Sequence, residues 1–370
     1  MSRVLVSRGT DAYFGQVLWR DLSMLSSIGL GFLFMLNRTA ILPSRFLGDE
    51  ATIQSLAQQV WESPTDSSYT SVASAYRFIG VAEEPLLAAL FGFLVGCIPY
   101  FLVLRAARGR FPGRMSAPLL MCGILLTAVY MGTFSKEVFI APIVSLVIVL
   151  KPHWSRTLLL VGLICIYAYL FRSYWFFLAA CVVVLLASKK IFKGWKGAIA
   201  VAPVLVIAGT LLIVIAMGVP GDFYRSSVNI YREASGDVNT LIPRYLNLPE
   251  PFGAVGNNLL SFVILQFPIP LLLKFSPYYL LISVFIGALW ITYYRAVVSL
   301  TPVVQVDDEY SRLTRASVIL LGFLVTQSFF EPDFGSALKH LTPLVPLLFW
   351  IYLQSRIRIS CSNELQKDCN

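Results

Sequence analysis

Charge is what this chain has least of. Of its 370 residues only 13% are Asp, Glu, Lys or Arg, against 57% hydrophobic, whereas soluble globular domains carry about a quarter charged residues. That composition excludes a soluble domain and predicts a polytopic, all-α integral membrane protein. The six cysteines form no CxxC and no Cys/His zinc spacing: Cys97, Cys122, Cys165 and Cys181 lie inside apolar runs, and Cys361 and Cys369 on the C-terminal tail. Neither a disulfide framework nor a metal site is expected. Walker A, GxGxxG, HExxH and GxSxG motifs are missing too, which argues against a nucleotide-driven pump, an oxidoreductase and a serine hydrolase. No cofactor is expected. Arg3, Arg8, Asp11, Arg20 and Asp21 precede a long apolar stretch that lacks the compact core and small-residue cleavage site of a secretory signal. The first span is therefore expected to be retained.

What the chain does have is a series of apolar runs. Ten are candidate membrane spans: Leu22 to Leu42, Pro85 to Leu104, Met115 to Thr133, Val138 to Leu150, Thr157 to Phe171, Tyr174 to Ser188, Gly197 to Gly218, Tyr278 to Val298, Ala316 to Phe330 and Leu341 to Tyr352. An eleventh, Leu259 to Phe275, is interrupted by Gln266, Pro268 and Pro270. Cations exceed carboxylates by 29 to 20, but they fall in short clusters between the runs, so they report topology and not a nucleic-acid partner. Arg105, Arg108, Arg110 and Arg114, then Lys151 and Arg156, then Lys189, Lys190, Lys193 and Lys196, then Arg356 and Arg358 mark one face, the cytoplasmic one. An even number of spans must separate Lys196 from Arg356. Five apolar segments lie between them, and the proline-broken run is the one expected not to cross, as a re-entrant or interfacial helix.

The resulting topology is one polytopic domain over 1–370, with both termini cytoplasmic and two large outward loops, 43–84 and 219–277. The segment Glu331 to His340, EPDFGSALKH, faces outward as well. In the first loop Asp49 to Trp61 reads as a helix with Ile53, Leu56, Ala57 and Val60 on one face, suited to lying on the membrane or on a neighbouring loop. GFLVG (Gly92 to Gly96) is a helix-packing signal.

Two runs, Thr157 to Phe171 and Tyr174 to Ser188, are only about 15 residues, or roughly 22 Å of helix against a hydrocarbon core of about 30 Å. Arg172, in the turn between them, and Lys136 and Glu137, before another short run, are then drawn toward membrane depth. A charge there costs on the order of 3 kcal/mol and needs a partner or water. Cations gathered on an outward cavity suit a diphosphate, because Arg offers a planar fork and Lys a point charge. Arg172, Lys136, Arg225, Arg232, Arg244 and Lys339 are the candidates, with interfacial snorkelling as the other reading. His340 is a candidate general base or phosphate donor. Glu331 and Asp333 either pair with Lys339 or act as the base that takes a proton from a sugar hydroxyl, and Ser336 is the expected helix cap. His153 is read as interfacial.

The ten-span layout with two outward loops, the GTFSKE turn (Gly132 to Glu137), the FRSYW turn (Phe171 to Trp175) and FEPDFGSALKHLTPLVPLL (Phe330 to Leu348) together resemble the Wzy-type bacterial polysaccharide polymerases. The resemblance covers most of the chain by layout and about forty residues by motif. It implies a metal-independent glycosyltransferase of the bacterial inner membrane that joins undecaprenyl-diphosphate-linked oligosaccharide repeats on the outer face. The product would be O-antigen, capsule or exopolysaccharide. It further implies that Arg172, Lys136 and the loop arginines hold diphosphate, and that His340 or Glu331 activates the acceptor. A chain-length regulator and a flippase would be partners besides the bilayer. Trp175, Tyr174, Tyr224 and Tyr245 offer faces for sugars or anchors for the interface. A lipid-linked glycan flippase or transporter, and a glycan ligase of the related family, are the competing readings.

Overall fold

A computed structural model describes residues 2–42, 48–60, 67–112, 115–191, 195–234, 240–299 and 308–368. Pro43, Trp61, Arg114, Lys193 and Cys369, which entered the reading of the sequence, lie outside the described residues. Among the described residues there is no strand, only an isolated antiparallel bridge between Leu241 and Asp333. The protein is all-α and rich in apolar helices, as a polytopic membrane protein requires. A helix stands at each of the ten predicted apolar runs. Six segments among the described residues are long and apolar enough to cross a membrane: Gly15–Ile41, Pro85–Ala106, Gly197–Met217, Pro277–Ser299, Ser311–Phe330 and Phe334–Ile359. The others are shorter, so length and composition alone mark six candidate spans among the described residues and not ten.

The chain divides into two compact units, residues 1–173 with 342–370, and residues 174–341. The first contains α1 (Ser2–Ile41), α2 (Gly48–Ala57), α3 (Ser67–Ile79), α4 (Pro85–Ala106), α5 (Ser116–Tyr130), α6 (Ala141–Val149) and α7 (Trp154–Leu170). The second contains α8 (Trp175–Ile191), α9 (Trp195–Met217), α10 (Phe223–Ala234), α11 (Phe252–Ile264), α12 (Ile269–Leu272), α13 (Pro277–Ser299), α14 (Asp308–Phe330) and α15 (Phe334–Leu341). The last helix, α16 (Val345–Asp368), belongs to the first unit.

In the first unit α1 runs along α5 through the stripe Met24, Ser27, Gly31 and Met35, spaced three to four residues apart on one helix face. The glycines of α4 explain its close packing. A Cβ at Gly92 would run into the carbonyl oxygen of Met131, and one at Gly96 into the Thr127 side chain, so GFLVG brings α4 against the end of α5. The first loop is more helical than its sequence announces. The predicted Asp49 to Trp61 helix is α2, which buries Ile53 and Ala57 but ends before Val60, an exposed residue. A second helix, α3, packs on it, and Arg38 at the end of α1 forms an ion pair with Glu50.

In the second unit α14 is buried along nearly all its length, with α8, α9 and α11 against it. The proline-broken run is two helices, α11 and the four-residue α12, separated by a break at Leu265–Pro268. Gln266 occupies that break: its Nε2 donates to the Phe262 carbonyl (2.6 Å) and its Oε1 accepts from the Tyr294 hydroxyl (2.6 Å). Helix α13 thus supplies a polar partner where the prolines remove backbone donors.

Candidate functional site

The sequence-predicted residues fall into two constellations, one in each unit. Lys136 and Arg172 belong to the first. Ser135 caps a 3-10 turn over Lys136–Ile140: its Oγ accepts from the Glu137 N–H (3.3 Å) and donates to Glu137 Oε2 (2.5 Å). The fully buried Glu137 carboxylate forms an ion pair with Arg172. Lys136 turns the other way. Its Nζ donates to Ser68 Oγ (2.6 Å) and lies 3.4 Å from the centroid of the Tyr69 ring, a cation over an aromatic face. Tyr69 in turn donates to Asp49 Oδ1 (2.8 Å). Burial, reinforced by Asp49, pushes the Tyr69 hydroxyl well above its ordinary range, so it stays a donor. Tyr76 of α3 accepts from the Ser135 N–H (3.0 Å), and burial raises its hydroxyl likewise. The segment before α4 therefore closes onto the GTFSKE turn and provides the partners that a buried lysine needs.

The second constellation is built where α14 ends. Glu331, Pro332 and Asp333 turn the chain into α15, and Asp333, not Ser336, caps that helix: its Oδ1 accepts from the Ser336 N–H (2.8 Å) and its Oδ2 from the Ser336 hydroxyl (2.5 Å). Ser336 stands at the third helical position, where a donor N–H awaits a cap. Asp333 also forms an ion pair with Arg232, which comes from another helix, α10. A short strap is stitched over this turn. Ile242 N–H donates to the Pro332 carbonyl (2.8 Å), and Phe334 N–H to the Thr240 carbonyl (3.0 Å).

Glu331 and His340 meet. Nine residues apart in sequence, they lie with Nδ1 2.8 Å from Oε2, and the carboxylate is almost wholly buried. Gln327, one turn earlier on α14, donates to the Ala337 carbonyl (3.0 Å) and reaches the same Oε2 at 3.4 Å. Oε1 of Glu331 is buried with no hydrogen-bond partner among the described residues. If the carboxylate accepts a proton held on Nδ1, Nε2 is the ring nitrogen left to accept. Lys339 is half-buried in the last turn of α15, where a cation is favourable to the helix dipole.

The loop arginines take distinct roles. Arg225 is buried, and its guanidinium donates to Ser261 Oγ (2.5 Å), the Ser328 carbonyl (2.9 Å) and Asn258 Oδ1 (3.2 Å), with Asp222 at 3.9 Å. Burial lowers its pKa to about 10, which leaves it a cation at neutral pH. That geometry ties α10 to α11 and α14, and it faces protein acceptors instead of an open cavity. Arg232 and Arg244 have side chains 30% exposed. Arg244 pairs with Glu250, which raises its pKa further, and reaches Asp222 Oδ1 at 3.5 Å. Trp175 is a core residue, buried edge-on against Phe323; no sugar could stack on it there. His153 caps α7 by accepting from the Ser155 N–H (3.3 Å).

Sequence reasoning passed over Asp222, Asn229, Asn258, Ser261 and Gln327. The signal for the α11 pair was present, since amides inside an apolar helix (AVGNNLLSFV) mark a place where polar groups must be satisfied internally. Among the described residues no group of three or more His, Cys, Asp or Glu is placed to hold a metal ion. No family model, no curated protein and no solved structure matches the chain.

Proposed function

We propose that this chain is a glycosyltransferase of the bacterial inner membrane that polymerises undecaprenyl-diphosphate-linked oligosaccharide repeats on the outer face. The observation that carries the reading is the buried Glu331–His340 pair, set on the turn that Arg232 grips through Asp333. His340 Nε2 takes the proton of the acceptor sugar hydroxyl. The acceptor oxygen then forms its bond to the anomeric carbon of the donor glycan as the bond from that carbon to the diphosphate breaks, and the lipid diphosphate leaves with the electron pair. Glu331 orients the imidazole and offsets its charge. Arg232 and Arg244, each partly exposed, exchange carboxylates for diphosphate oxygens, which stabilises the leaving group. Lys136 and Arg172, which lie in the first unit with separate partners, are read as having a part in holding lipid diphosphate or glycan.

The topology that accompanies this reading has ten spans, both termini in the cytoplasm and the α11–α12 pair re-entrant or interfacial. The helices at all ten apolar runs and the spacing of the basic clusters between those runs support it.

The test is a purified-protein assay with lipid-linked repeat units and no added nucleotide, paired with the fate of those units in cells. Wild type is expected to build polymer, and His340→Ala and His340→Gln to lose it by about 10²- to 10⁴-fold, the usual contribution of a general base, while single repeats accumulate outside. Repeats retained on the cytoplasmic side would favour the flippase reading. Long polymer left on its lipid carrier would favour the ligase.

A further inference from the structure

Helix α10 is inside out. Its inward side carries Asp222 just before the helix, then Arg225, Asn229 and Arg232, spaced three to four residues apart. These engage Ser261, Asn258 and the Ser328 carbonyl (Arg225), the Ile242 carbonyl (Asn229, 2.9 Å) and Asp333 (Arg232). Its outward side is Phe223, Tyr224, Val228, Ile230 and Tyr231, with Ile230 70% and Tyr231 78% exposed. At about 100° per residue these five positions cover nearly half the circumference, interrupted by Ser227 alone. A helix bordered by water has the opposite arrangement, because exposing such an arc to water forfeits the burial of several large side chains at about 25 cal/mol per Å².

We infer that α10 lies in the bilayer interface, with its aromatic and aliphatic arc in the boundary between headgroups and acyl chains and its polar side turned to the protein. The lipid is the occupant because the arc continues an apolar exterior that already belongs to a membrane span. Helix α9 ends with Ile215 and Met217 exposed, and the Tyr224 hydroxyl sits 3.6 Å from Met217 Sδ. The flanking chemistry agrees: tyrosines and partly exposed arginines are the residues that settle at headgroup level. The region 219–277 is thus not simply a loop in water, and the polar interior behind α10 is separated from lipid by a single helix. This placement goes beyond the transferase reading and does not depend on it.

The experiment installs the photo-crosslinker p-benzoylphenylalanine in place of Ile230 or Tyr231, with Glu233 as a control position on the polar flank. The full chain is reconstituted in vesicles of phosphatidylethanolamine and phosphatidylglycerol. After illumination, the labelled peptide is expected to gain the mass of a phospholipid at 230 and 231, several-fold above the yield at 233. Equal, near-background yields at all three positions would place the arc in water and overturn the inference. Crosslinks to a second copy or to another protein, without lipid adducts, would overturn it in favour of a protein interface.

Discussion

The carboxylate of Glu137 and the guanidinium of Arg172 meet as an ion pair 35 residues apart in sequence, with the carboxylate wholly out of solvent. The sequence places both as charges in need of a partner, and in the first unit they meet each other.

Breaking that pair from one side leaves an uncompensated buried charge. Arg172→Ala is expected to destabilise the protein by about 3–5 kcal/mol, and the double variant Arg172→Met with Glu137→Leu to recover most of the loss, because the cost lies in the orphaned carboxylate. Thermal unfolding in detergent of the two variants beside wild type checks the order. Equal losses in both would show that packing and not charge dominates.

Asp333 serves two structures at once, the start of α15 and the link to α10. Asp333→Asn keeps a capping oxygen and loses the ion pair, whereas Asp333→Ala loses both. The alanine variant is expected to be the less stable of the two by about 1 kcal/mol, the usual worth of a cap, and Arg232→Ala is expected to be less stable than the asparagine variant, because it leaves the buried Asp333 charge without its cation. Unfolding midpoints in a denaturant series would show the ranking.

Gly92 faces backbone, which cannot give way as a side-chain tip can. Gly92→Ala places its methyl against the Met131 carbonyl oxygen, and a loss of about 1–3 kcal/mol is expected, the scale of overpacking a well-filled core. Gly162, on α7, has open space around its Cβ direction, so Gly162→Ala in the same thermal assay should be neutral or slightly stabilising through helix propensity.

Much of the fold is legible because the period and length of apolar runs are properties of contiguous sequence. Each of the ten runs became a helix, and Gln266, Pro268 and Pro270 marked the break between α11 and α12. The site was legible in part. EPDFGSALKH stood out by its charge, and His340 and Glu331 were both singled out, but their contact depends on the turn at Pro332 and Asp333 bringing the end of α14 and α15 together. Partners of the arginines were hidden for a plainer reason: Arg232 finds Asp333 101 residues away and Arg225 finds Ser328 at 103. The arrangement of α10 is not legible from composition: an average over Phe223 to Glu233 discards which face each residue occupies, and here the polar face is the inner one.

The strap from Thr240 to Ile242 has a consequence in time. It joins residues near 240 to Pro332 and Phe334 through backbone hydrogen bonds, so the seat of the Glu331–His340 pair is complete only after about a hundred intervening residues have been synthesised, inserted and folded back. Contacts of such long range form late, because the entropy of closing the intervening chain is lost before they return any stability. Until then Arg232 and Asp333 have not met, and membrane insertion must handle them as separate charges. The pair that neutralises them is a product of assembly and not of any one local segment.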